Sequence, residues 1–304
     1  MLLPFGHRGK RGRLPLVPAL VFRMIVIRHK VTGQPLLEVP GDTLAGATLD
    51  RAVLLYADLN GADLRGAKLR GADLCQADLR GALLDEADVT EADVTLANLG
   101  GASLRNAVLA DARLQAVNLE LPGPSRTDFG GAELTRVNLK NSNLSGCIFD
   151  DAELRRIDLT HTNLTGARFT GANLTEANFS YSNLQEADFS YSMLVSALLH
   201  EVDLRGASLR HADLTYAVLS GPRLTGADLT HAHLSRTVFA RCHDLHRAHG
   251  LDSLEYLSPS SIDLETLRHC VEGLGDPFLE GCGVESPEIG ALRALRSESR
   301  LPVG

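Results

Sequence analysis

Histidine offers the first candidate chemistry in this sequence. His243, His246 and His249 recur at every third position with Cys242 and Asp244 beside the first, while His211 and His231 lie twenty residues apart with His233 close by. Imidazole, thiolate and carboxylate are zinc donors, and a zinc site needs three or four of them converging at about 2 Å. Neither group has the spacing of a familiar zinc motif, so solvated or capping histidines are the expected reading, with no metal and no cofactor. Cys75, Cys147, Cys242, Cys270 and Cys282 form no CxxC and no paired framework, which fits a reducing compartment and an expected cytoplasmic location. Cys147 should be a buried, inert thiol. Asp58, Asp63, Asp73, Asp78, Asp88 and Asp93 fall on a common five-residue spacing. Carboxylates placed that way come from a repeat, so their pairing is no sign of acid–base catalysis. The sequence holds no Gly-rich phosphate loop, metalloprotease helix or nucleophile elbow. No catalytic, cofactor-binding or metal residue is assigned, and the chain is expected not to be an enzyme.

Composition narrows the classes further. The 304 residues carry a formal charge of −8, with 5% aromatic residues and no Trp. Net acidity argues against direct nucleic-acid binding, which needs Lys and Arg to displace counterions. The most apolar stretch, residues 14–27, is broken by Pro15, Pro18 and Arg23, so no membrane span is expected.

The element that must position these groups is a repeat. Every fifth residue from Leu44 to Phe239 gives forty positions, and thirty-nine are Leu, Val or Phe; the exception is Pro124. Two residues before each centre, Ala fills 26 of the forty, and a polar residue, often Asp or Asn, sits between, as in Ala57-Asp58-Leu59. Neither a 3.6-residue helix nor a plain strand has a period of five. Ala-Asp-Leu reads in-out-in, and the Gly-rich pair after it reads as a turn. Such units bury Ala and Leu together only when the chain keeps turning one way and stacks on itself as a solenoid.

Shared peculiarities count the units per coil. Phe129, Phe149, Phe169 and Phe189 follow one another at twenty residues, flanked in that series by Leu109 and Leu209. Asn98, Asn118 and Asn138 have the same spacing, and so do Asn143, Asn163 and Asn183. Four quintets per coil is the simplest reading, and about ten coils at roughly 4.8 Å make a rod on the order of 50 Å long. The A(D/N)LXX pattern resembles the pentapeptide-repeat family. That resemblance implies an all-β solenoid, a right-handed quadrilateral β-helix with the centre residue and the Ala before it pointing inward. Leu121-Pro122-Gly123-Pro124-Ser125 departs from the pattern but keeps the frame, so a bulge that neither gains nor loses residues is expected there.

Flanking segments are expected to cap the open strand edges. Residues 1–23, with five basic and no acidic side chains, read as an unstructured leader. Residues 24–40 read as a β-hairpin cap with its turn at Thr32-Gly33. The β-helix is assigned to 41–241, where the period stops, and 242–304 to a capping tail. Ser260-Ser261-Ile262-Asp263 reads as a capping box before a helix running to about Val271, and Asp276–Gly281 as a further helical turn. The tail resembles those that follow the repeats in some family members and offers a possible dimer or partner surface.

Two functions follow. The first is a structural scaffold that presents the faces of a rigid rod to an unidentified protein. The second comes from the resemblance, because some family members bind type II topoisomerases by imitating duplex DNA. Residues 41–240 carry 26 acidic and 17 basic residues, but Arg65, Arg70, Arg80, Arg105, Arg113, Arg155 and Arg205 interrupt the acidic positions. A mimic needs continuous columns of negative charge, so the scaffold is preferred.

Overall fold

The computed structural model describes residues 23–114, 116–118 and 126–298. The expected leader, Arg23 apart, and the departure at 121–125 lie outside the described residues.

Each quintet folds by the same local rules. The residue before the centre pairs with its counterpart in the next coil, as in Lys68 with Asp88. Lys68 N–H donates back to Ala47 (2.8 Å) and Leu69 N–H donates forward to Asp88 (2.7 Å), so the ladder is continuous. A four-residue turn then closes through Ala67 N–H to Leu64 C=O at 3.0 Å. Its third residue is left-handed whether it is Gly66, φ 63°, or Tyr191, φ 61°. Asp and Asn are common before the centre because their side-chain oxygen accepts the N–H two residues on. Cys75 N–H donates to Asp73 (3.1 Å) and Gly100 N–H to Asn98 (3.1 Å) in this way.

Four quintets make a coil. We name the four faces by their columns: asparagine (Asp78, Asn98, Asn118), phenylalanine (Phe149, Phe169), glutamate (Glu133, Glu153) and valine (Leu198, Val218, Val238). The interior is solid: among the described residues from Leu44 to Phe239 the centre Leu, Val and Phe are buried, and so are the small residues before them except Ala47, Ala52 and Ala62, which are partly buried. Phe129, Phe149, Phe169 and Phe189 stack at 4.9 Å between successive centroids, and Phe179 meets Phe169 and Phe189 edge-on.

One expectation fails at the departure from the pattern. Ser103 pairs with Asp128, Val108 with Glu133, Arg113 with Asn138 and Asn118 with Asn143, a shift of 25 residues where the other pairings between Thr48 and His233 shift by 20. The chain gains one quintet there. The frame hides it, because five residues more or less returns every Leu and Ala to an inward position. Phe129 therefore follows Leu104 in its column, not Leu109. The two asparagine series also merge as Asn98, Asn118, Asn143, Asn163 and Asn183, leaving Asn138 on the valine face.

At the N-terminal end β1 (Met24–His29) and β2 (Pro35–Pro40) pair antiparallel, and β1 also pairs with β3 (Ala57–Asp58). Ile27 and Val39 of this hairpin join the core. Towards the other end the coils contain regular strands: β4 (Leu198–His200), β5 (Val218–Ser220), β6 (His233–Ser235) and β7 (Val238–Ala240).

Parallel pairing runs on past Arg241, where the sequence period stops. His249 pairs with Asp228, β8 (Glu255–Ser258) with β6, and β9 (Ser261–Ile262) with β7. Leu245, Leu251, Tyr256 and Ile262 supply its inward side chains at unequal spacing. Where this coil lacks a backbone acceptor, the Asp244 carboxylate substitutes, taking N–H bonds from Leu224 (3.0 Å) and Thr225 (2.9 Å).

Three helices follow: α1 (Leu264–Cys270), α2 (Asp276–Gly281) and α3 (Ser286–Glu298). Asp263 caps α1 by accepting Thr266 N–H, so the Ser260 capping box is not formed, and Ser260 N–H instead donates to Gly281 C=O. Phe278 of α2 lies edge-on to Phe239 at 5.5 Å and covers the end of the core. The pattern from Leu264 to about Val271 pointed to α1, and no pattern in the sequence pointed to α3.

Candidate functional site

The structure sends the two histidine groups in different directions. His243 Nε2 meets Glu265 of α1 at 2.8 Å, His246 Nδ1 meets Cys270 Sγ at 3.3 Å, and the backbone of His249 continues the ladder. A continuous 3₁₀-helix would align residues three apart on one face, but that element here covers only Leu245–Arg247. His211 and His231 do stack, at 5.1 Å, with Tyr191 on His211 at 4.7 Å. His233 Nε2 lies 3.0 Å from Glu255, and His231 Nδ1 lies 3.9 Å from it. Among the described residues no group of three or more His, Cys, Asp and Glu converges on a metal position. Burial pushes the Cys147 thiol up to about 12 and the Cys282 thiol likewise to about 12, so neither is a nucleophile at neutral pH.

The charged side chains follow two pairing rules. Within a quintet the residue after the centre reaches back to the one before it, as in Arg65–Asp63 (2.8 Å), Arg80–Asp78 (2.5 Å) and Arg205–Asp203 (2.6 Å). Between coils the same residue reaches forward, as in Arg105–Asp128 (2.7 Å), Lys140–Asp158 (3.0 Å) and Arg210–Asp228 (2.8 Å). Hydrogen bonding from Arg80 holds the Asp78 carboxyl below its ordinary 3.8.

Where both rules lapse a groove opens. Its volume is about 500 Å³, and it lies beside the corner column Asp111, Arg136, Arg156 and Glu176. Arg136 binds Asp111 and Arg156 binds Glu176, drawing the two guanidiniums apart, and Ala110 offers Glu133 no partner. A second groove of about 330 Å³ holds Tyr181, Glu201, Asp203 and Arg223. Its acids are already engaged, Glu201 by Arg241 at 3.3 Å and Asp203 by Arg205. Both grooves are open and lined by charged side chains, in the first three acids against three arginines, unlike the mostly apolar enclosed sites that hold small molecules.

A solid core inside four regular outward ladders defines a β-solenoid whose variable part is its surface. Within that class the chain belongs to the pentapeptide repeat family. The model for pentapeptide repeats matches in eight copies, over residues 43–81, 62–101, 82–120, 125–151, 152–190, 192–230 and 223–248. The family's fold is the right-handed β-helix.

Among solved structures the chain is similar to HetL, a pentapeptide repeat protein involved in heterocyst differentiation regulation from Nostoc sp. strain PCC 7120. Identity is 35% over 59% of this chain and 84% of HetL, with a TM-score of 0.31. QnrB1, a plasmid-mediated fluoroquinolone resistance protein, is 18% identical over 74% of this chain and 91% of its own, with a TM-score of 0.38. A pentapeptide repeat protein of the Arabidopsis thaliana thylakoid lumen is 30% identical over 34% of this chain and 64% of its own, with a TM-score of 0.21. No curated protein matches the sequence. Among the described residues no helix is long and apolar enough to cross a membrane.

Proposed function

We propose that this chain is a non-enzymatic scaffold, acting in the cytoplasm, that presents the faces of its β-helix to a protein partner. The observation that carries this reading is the division of labour in every coil: backbone and inward residues repeat, while outward residues differ from rung to rung on one rigid frame. Information for recognition therefore resides in side chains whose positions the ladder fixes in advance, which lowers the ordering cost of binding. Imitation of duplex DNA has less support. The ion pairs at Asp63, Asp78, Asp128, Asp158, Asp203 and Asp228 neutralise the acidic columns locally, and a mimic needs unbroken negative potential.

One coil supplies the test, because Asn178, Asn183, Asp188 and Met193 lie before the centres of its four successive faces. A photo-crosslinking amino acid placed at each in turn, in the native host, should yield a discrete protein adduct from one or two faces. Absence of an adduct from all four would overturn the scaffold reading.

A further inference from the structure

The outward column of the valine face changes character along the rod. After Val53 at its first rung, Asp73, Asp93, Arg113, Asn138, Asp158 and Asn178 follow one another as polar rungs, and then come three apolar rungs in succession, Leu198, Val218 and Val238. These last three open strands β4, β5 and β7, which with β9 form a regular parallel sheet. Leu198 is 43% exposed, and the corners flanking the sheet carry Tyr216 at 48% and Tyr181 at 52%. Arg236 lies over the Tyr216 ring, 5.7 Å from its centroid, with Nη1 3.4 Å from the Tyr216 hydroxyl. Among the described residues Arg236 has no carboxylate partner, whereas Arg241 at the opposite corner is held by Glu201.

We propose that this patch docks an amphipathic helix of a protein partner, apolar side chains resting on Leu198, Val218 and Val238 and a helix Asp or Glu reaching Arg236. The inference rests on the scaffold reading and names the partner's chemistry. Three rungs at about 4.8 Å span roughly 10 Å, close to the width of one helix, about 10–12 Å with side chains. A stable pair of copies buries about 800 Å² on each side, more than three aliphatic residues and two half-exposed tyrosines offer, so a second copy is not the occupant. Tyr and Arg are the side chains that anchor interfaces. Stacking on Tyr216 already orders the Arg236 guanidinium while leaving donors free for the forked bond that a carboxylate accepts.

The test uses the full chain and a displayed library of helical peptides as probe. Selected binders should combine apolar residues at i, i+3 or i+4, and i+7 with an acidic residue. Their affinity should fall at least tenfold on Val218→Asp and on Arg236→Glu, and a peptide whose acid is replaced by Lys should recover binding to Arg236→Glu. Val218→Asp should fold, because Asp73, Asp93 and Asp158 occupy the same column, and a circular-dichroism melt checks this. Failure to select a helical binder, or binders indifferent to both substitutions, would overturn the proposal. So would self-association of the wild-type chain that Val218→Asp abolishes, since the occupant would then be a second copy. Those results leave the photo-crosslinks from other faces standing; only their loss from every face would remove the scaffold reading too.

Discussion

Among the described residues the quintets are joined at corners that turn through a left-handed residue, and many of these are not glycine. Arg, Tyr, His, Glu, Asp and Asn occur there with φ between 51° and 63°, but no Val, Ile or Thr does among the described residues. Thr instead gathers one position earlier, as at Thr165, Thr170 and Thr175. A side chain branched at Cβ makes the left-handed region a true outlier, whereas an unbranched one tolerates it at lower cost. Ser196, with φ 57°, gives the expected ranking: Ser196→Val destabilises by about 1–2 kcal/mol, while Ser196→Gly is neutral or stabilising, both read from urea unfolding. The sequence displayed the Gly-rich corners and the polar residue between Ala and Leu. The reason for Asp or Asn there, an oxygen accepting an N–H two residues on, appears only when the local turn is seen, and so does the pairing of Arg80 with Asp78.

At the scale of elements, a five-residue frame was legible throughout because burial enforces it at Leu, Phe and Ala. The number of quintets in each coil was less legible, since an added quintet preserves every inward position and betrays itself only in which residues stack. The coil after Arg241 was hidden for a different reason. Leu245, Leu251, Tyr256 and Ile262 break the period, and the Asp244 side chain does work that backbone does elsewhere. Asp244→Ala leaves the Leu224 N–H without its acceptor at a cost of about 1–3 kcal/mol; amide exchange should accelerate at Leu224 and Thr225 before it does at Leu164.

The Arg80–Asp78 pair adds a pH signature. A depressed folded-state carboxyl contributes stability that is full above its unfolded value near 3.8 and is lost as pH falls through the folded value. The melting temperature of wild type should therefore drop more steeply below about pH 4 than that of Arg80→Gln. Equal slopes would show that the pair adds nothing.

For the whole molecule, the 25-residue shift makes one deletion special. Removing residues 121–125 restores a shift of 20 between Asn118 and the rungs after it, so the melt should stay cooperative and close to wild type. Removing residues 172–176 should be damaging, because it turns all later quintets by one face and parts Phe169 from Phe189. The charge pairing leads to a functional expectation at the same scale: the protein should not inhibit gyrase supercoiling at low or moderate salt. Inhibition at low salt that Asp73→Lys/Asp93→Lys abolishes would restore DNA imitation as the leading reading, since steering by an acidic surface weakens over a Debye length of about 10 Å at 0.1 M.

The ladder also dictates how the molecule is made. Each coil needs only the coil before it, so a nascent chain can add rungs as it leaves the ribosome, starting on the β1–β2 hairpin, with no distant segment to wait for. Throughout synthesis the growing end is an exposed strand edge, a template for any other extended chain. Phe278 and the helices around it follow the coils and close that edge over Phe239. Synthesis of α2 is therefore the step that converts a self-propagating surface into a closed one, and a ribosome that stalls before it releases a product poised to aggregate.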